Sequence, residues 1–211
     1  AEGLFTTLTN VNFDEERFKK YIITCIELTQ QLSKQVIEAG GGNDIKAVLK
    51  IEASSDLSNL IKQGEKLGMA VDNSADEDIK SLQRTVLFGC KGVAAYAHHA
   101  YLLGQENDKI YEYLHEAMAS MIDKNLGLNE WINLALRCGE ANLIAMELLD
   151  RGNTGKYGHP VPTSVPLGAK KGKCILVSGH DLKDLQGLLE QTKDKGINIY
   201  THGEMLPTHG Y

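Results

Sequence analysis

Over the first 150 residues, apolar side chains recur every three or four positions. After residue 172 that rhythm stops and a different one begins. This change constrains the fold more than any other feature, because a helical period and a strand period place side chains on incompatible faces. Phe18, Tyr21, Ile22, Cys25, Leu28, Leu32 and Val36 share one helical stripe. Asn12 with Glu15 three residues on has the form of a capping box at its start, and Gly40, Gly41 and Gly42 are a stop signal at its end. Further helices are expected at about 56–67 around Leu57, Leu60 and Ile61, at about 76–103, at about 107–122 and at about 128–150. The second of these carries Leu82, Val86, Cys90, Val93, Ala97 and Tyr101 on one face. The last carries Trp131, Leu134, Cys138, Ala141, Ala145 and Leu148. Short connections imply antiparallel neighbours, as in a bundle.

The stretch "GNTGKYGHPVPTSVPLGAKKG" (152–172) holds three of the four prolines and reads as a linker or long ordered loop. Beyond it, Cys174–Val177 is a continuous apolar run, the mark of a strand buried on both faces. Asp181 fits an N-cap for a helix with Leu182, Leu185, Leu188 and Leu189 inside. Gly196 stops that helix and Ile197–Tyr200 forms a second strand. A strand–helix–strand unit makes the two strands parallel. The expected fold is therefore mainly α: a helical-bundle domain (1–152), a linker (153–172) and the first β-α-β unit of a parallel α/β domain (173–211). Two parallel strands need more neighbours than this, so the natural polypeptide is expected to continue past Tyr211.

A formal charge of −6 and scattered basic residues give no reason to expect nucleic acid or an anionic membrane as partner. No apolar run approaches a bilayer span and no signal peptide is evident, and together with cysteine usage this suggests the cytoplasm. Cys25, Cys90, Cys138 and Cys174 form no CxxC pair, and core packing is the default for each.

In a parallel α/β sheet, ligands sit outside the carboxyl ends of the strands. His180 follows the first strand and Thr201, His202, Gly203 and Glu204 follow the second, so His180 and Glu204 are expected at one sheet edge. An imidazole and a carboxylate there could bind a transition metal, iron included, or act as a base and its orienting partner. Plainer roles stay open: His180 as a neighbour of the helix cap, Glu204 as a surface carboxylate, Asp181 as a cap. The adjacent His98 and His99 point about 100° apart on a helix, a poor metal pair, with one expected to pack and one to face out. His115 and His159 are ambiguous, and His209 is expected in a frayed end. The polar "TTLTNVN" before the first long helix suits capping. A phosphate or nucleotide at the Ser178–Asp181 turn is a further reading, weakened by the lack of a Walker or GxGxxG pattern.

The blocks "TLTNVNFD" (7–14), "GCKGVAAYAHHAYLLG", "TGKYGHP", "CILVSGHDLKDLQGLLEQT" and "YTHGEMLP" strongly resemble, in order and over essentially the whole chain, the hybrid cluster protein family, also called prismane proteins or hydroxylamine reductases. The resemblance implies an iron–sulfur–oxygen hybrid cluster of the 4Fe-2O-2S type, held by one His, two Glu and four Cys. His180 and Glu204 match two of those ligands. It implies a second iron–sulfur cluster bound through an N-terminal cysteine motif that this sequence lacks. Thr9 matches a threonine near the open side of the hybrid cluster. The implied activity is reduction of hydroxylamine to ammonia, fed by an electron-donor redox protein, with nitric oxide reduction and a peroxidase-like activity also proposed. The implied fold is a helical domain of three-helix bundles followed by two α/β domains. The four cysteines here do not match the ligand cysteines, and the second ligand Glu has no counterpart, so this chain supplies at most two of seven protein ligands. Alone, it is expected to be an inactive helical scaffold or interaction module. Oligomeric state is left open.

Overall fold

The computed structural model describes residues 1–8, 12–41, 51–67, 76–123 and 125–211. Its described elements are α1 (Glu2–Thr6), α2 (Glu15–Glu38), α3 (Leu57–Leu67), α4 (Glu77–Leu102), α5 (Asp108–Ser120), α6 (Leu128–Tyr157), β1 (Lys173–Ser178), α7 (Leu182–Thr192), β2 (Ile197–His202) and a closing 3₁₀ helix (Gly203–Gly210). The chain divides into two compact units. One comprises Ala1–His98 with Asn107–Ile144, the other His99–Glu106 with Ala145–Tyr211, so the division falls within α4 and α6. No described helix is long and apolar enough to cross a membrane.

Short polar side chains start most of these helices, because the first turn leaves backbone N–H groups without partners. Asp56 Oδ1 accepts from Ser58 N at 3.0 Å, Asp76 Oδ1 from Asp78 N at 2.9 Å, and Asn107 Oδ1 from Lys109 N at 3.0 Å. For α2 the cap is Asp14, which accepts from Arg17 N at 3.0 Å, in place of the expected Asn12–Glu15 box. A carboxylate one residue before the helix can reach the first-turn amides, whereas Asn12 stands three residues before Glu15, outside the helix start. Gly40 follows the α2 end at φ +85°, a left-handed stop close to that expected.

The core of the first unit is built where the helical stripes meet. Val86, Cys90, Val93 and Ala97 of α4, Ile110, Tyr113, Leu114 and Ala117 of α5, and Trp131, Leu134, Cys138 and Ala141 of α6 are buried. Tyr113 donates its hydroxyl to the carbonyl of Leu134 at 3.1 Å, tying α5 to α6 inside that core. The α2 stripe behaves differently. Only Ile26 and Ser33 of α2 are buried, while Ile22, Leu28, Leu32 and Val36 are exposed. Tyr101, expected inward on α4, and Ile61 on α3 are also exposed. An amphipathic stripe records which face a partner would cover, and among the described residues that face of α2 is uncovered.

α6 runs to Tyr157, seven residues beyond the expected end at about 150 and into the stretch expected as linker. Gly152 explains the misreading. A Cβ there would stand 2.9 Å from Leu103 Cβ, so this buried glycine serves close packing within the second unit and does not break the helix. The stop is Gly158, at φ +87°, whose N–H reaches Thr154 O at 2.9 Å.

β1 and β2 pair in parallel, with Lys173 opposite Ile197 and Ser178 opposite His202. Both strands extend past the expected runs, and Thr201 and His202, expected just beyond β2, belong to it. The expectation of burial on both faces fails: β1 is exposed along nearly its whole length, and Leu176 is 69% exposed. A two-stranded sheet has too few neighbours to cover itself. Leu182 is buried on α7, Leu185 and Leu188 are half-buried, and Leu189 is exposed.

Candidate functional site

The last rung of the β1–β2 ladder pairs Ser178 with His202. Each strand then turns at a glycine with positive φ, Gly179 at +143° and Gly203 at +51°, a region that an L side chain rarely adopts. One residue further on stand His180 and Glu204. Both donors therefore project two residues beyond the same rung, and parallel register brings them side by side. His180 Nε2 lies 2.7 Å from Glu204 Oε2. The side chains are 65% and 68% exposed, so as an ion pair they add little to stability. Backbone register brings them to the same edge, and each keeps open access for another partner.

The residue after His180 caps α7. Asp181 accepts from Lys183 N at 2.8 Å and caps the helix as expected. His99 Nε2 approaches the same carboxylate at 4.0 Å. This carboxylate at the helix N-terminus opposes a second negative charge, which weighs against the phosphate reading of the Ser178–Asp181 turn.

Other expected residues fall elsewhere. Thr9 lies outside the described residues. His98 rests against the Phe5 ring, centroids 5.7 Å apart, and both His98 and His99 are half-buried, so neither faces fully out. His115 and His159 are exposed. His209 is tied rather than frayed: its Nε2 is 2.7 Å from Thr201 Oγ1. Cys90 and Cys138 are buried, whereas Cys25 and Cys174 are exposed, against the expectation of core packing for all four. Burial pushes the Cys90 thiol up to about 11, with Cys138 adding to it. Burial also raises the Tyr113 phenol, with the two nearby thiols adding to it. The Cys90 thiol is thus a poor nucleophile at neutral pH. In the same unit, Glu2 is hydrogen-bonded by Tyr21 and Arg17, and the Tyr21 hydroxyl leads in holding its carboxyl below the usual range.

Sequence reasoning named His180 and Glu204, and placed Thr201 and His202 beside them, but missed how the groups around them pair. Ser178 Oγ and His202 Nδ1 stand 3.3 Å apart across the last rung, and Thr201 pairs with His209. A signal existed: the tripeptide Thr-His-Gly occurs at 201–203 and again at 208–210. Among the described residues no three His, Cys, Asp or Glu side chains are grouped to hold a metal ion. The borderline imidazole and hard carboxylate suit iron in chemical type. As a pair they fit two positions of a larger ligand set and do not complete one.

The sequence profile of the Prismane/CO dehydrogenase family matches residues 1–211. The chain is 56% identical over 213 residues to a hydroxylamine reductase of Methanocella arvoryzae, and 54% identical over 212 residues to one of Syntrophobacter fumaroxidans. It is 54% identical over 211 residues to one of Maridesulfovibrio salexigens. In each case all of this chain is covered, but only 39%, 39% and 38% of the relative. The chain thus spans about two fifths of the length of these curated relatives.

Proposed function

Since the chain belongs to the Prismane/CO dehydrogenase family, we propose that it forms part of an oxidoreductase that reduces hydroxylamine, contributing His180 and Glu204 as two protein ligands of an iron–sulfur–oxygen hybrid cluster. The observation that carries this reading is the 2.7 Å approach of His180 Nε2 to Glu204 Oε2 at the carboxyl edge of a parallel sheet. The names of the relatives supply the substrate class. Cleaving the N–O bond of hydroxylamine takes two electrons and two protons and yields ammonia and water. The bound cluster would supply the electrons and a Lewis-acidic iron, drawing on an electron-donor redox protein. His180 would offer a ring nitrogen and Glu204 a carboxylate oxygen, and each must release the other to do so. Their exposure leaves room for that exchange and for ligands from the rest of the enzyme. The chain presents no third donor beside them among its described residues. Thr9 would line the substrate cavity, its hydroxyl hydrogen-bonding substrate or water. Nitric oxide is the alternative substrate.

The test is iron content per chain in anaerobically purified protein, beside His180→Ala and Glu204→Gln. The expected result is bound iron that falls in both variants. Iron unchanged in both refutes the ligand assignment.

A second reading, a non-catalytic scaffold for the chain alone, draws on the exposed apolar stripe of α2 and on Leu176. Absence of iron in all three proteins, with the fold retained, favours it.

A further inference from the structure

The 3₁₀ helix Gly203–Gly210 carries Glu204 at its start and spans eight residues. Such helices seldom exceed three or four residues, because their own hydrogen bonds are poorly aligned. This one also contains Pro207, which has no N–H to give. Its conformation must therefore come from outside ties. The Glu204 side chain supplies a weak one, since its pair with His180 is 68% exposed on the Glu204 side.

Three ties hold the segment. Met205 is 1% exposed and anchors the first turn. Gly210 donates no side chain, but its carbonyl accepts from Val161 N at 2.8 Å, and a Cβ at 210 would stand 3.2 Å from Pro160 Cβ. The third is the hydrogen bond between Thr201 Oγ1 and His209 Nε2, 2.7 Å long and partly buried. It joins the far end of the helix to the strand from which Glu204 departs. The neighbouring Ser178–His202 contact, at 3.3 Å and exposed, is too long to do this work.

We propose that Thr201 and His209 form a positioning brace: by closing the loop from β2 to the end of the 3₁₀ helix, their hydrogen bond holds the Glu204 carboxylate opposite His180. Its bearing on cluster binding rests on the ligand assignment above. The brace itself does not.

Thr201→Val removes the hydroxyl while keeping the shape, and Thr201→Ser restores it. His209→Leu cuts the same bond from the other side, so either disruptive variant suffices if one fails to fold. The readout is magnetic resonance of the 211-residue chain: the cross-relaxation signal between the carbon-bound ring protons of His180 and the Glu204 methylene protons. The expected result is loss of that signal in Thr201→Val or His209→Leu and its recovery in Thr201→Ser, while the Ser178–His202 rung keeps its own signals. A native His180–Glu204 signal in the folded Thr201→Val or His209→Leu protein overturns the brace. Iron content of the same proteins separates the two ideas. A lost contact with iron unchanged in His180→Ala leaves the brace standing and removes the ligand reading. A retained contact with iron lost in His180→Ala does the reverse.

Discussion

Gly89 offers a sharp test of how tightly α4 and α6 meet. It lies inside α4, where replacing glycine by alanine ordinarily gains about 1 kcal/mol of helix propensity. Here a Cβ would stand 2.5 Å from Cys138 Sγ, and the next nearest atom, Cys138 Cβ, is at 3.7 Å. The sulfur would have to retreat to the 3.4 Å of ordinary contact or beyond. Cys138 is buried, so its retreat meets packed neighbours. Overpacking of this kind costs about 1–3 kcal/mol. Gly89→Ala is therefore expected to be neutral or destabilising, by up to about 2 kcal/mol after the propensity gain. In a Cys138→Ala background the sulfur is gone, and the same change should stabilise by up to about 1 kcal/mol. The double-mutant cycle should give a coupling of about 1–3 kcal/mol with a reversal of sign. Urea unfolding followed by the fluorescence of Trp131, the single tryptophan, reports on the unit that holds all these residues. An equal effect of Gly89→Ala in both backgrounds would refute the reasoning.

Gly203→Ala meets open space, so its cost is backbone strain alone, about 1–2 kcal/mol. Gly203→Asn should cost less, as measured by the melting of the second unit. Asp181→Ala removes the cap of α7 and should cost about 1 kcal/mol in that unit, while Asp181→Asn should retain most of the stability in urea. Cys90 contributes to the alkaline limb. Between the ordinary thiol value of 9.0 and the folded value of about 11, the folded chain holds a proton that the unfolded chain has lost. Stability should thus fall as pH rises through that window, and Cys90→Ala should flatten the decline in urea midpoints taken across it.

The inward face of α6 was readable in full, because Trp131, Leu134, Cys138, Ala141, Ala145 and Leu148 are all buried as their spacing requires. α2 carries an equally clear stripe, yet Leu28 and Leu32 are exposed. Periodicity encodes a face and says nothing of whether its partner lies in the same stretch of chain. The same limit explains β1, apolar in sequence and exposed in structure. His180 and Glu204 were legible because each follows an apolar run and a glycine, a local pattern with a topological meaning. The Thr201–His209 bond was not, since it joins residues through irregular backbone where no period applies. Gly152 misled because sequence alone does not tell a glycine that ends a helix from one that admits a neighbour.

The matched overhang beyond the Ser178–His202 rung makes the two strands a ruler. Strand residues advance about 3.3 Å each and alternate in direction. Inserting or deleting a single residue between the rung and either donor would displace one partner relative to the other. A substitution in β1 or β2 that keeps the pairing and spares Thr201 leaves the ruler intact. At this edge, tolerance to changes of residue type outside Thr201 and intolerance to changes of length follow from one geometry, and redesign can vary the other strand residues only while their count is kept.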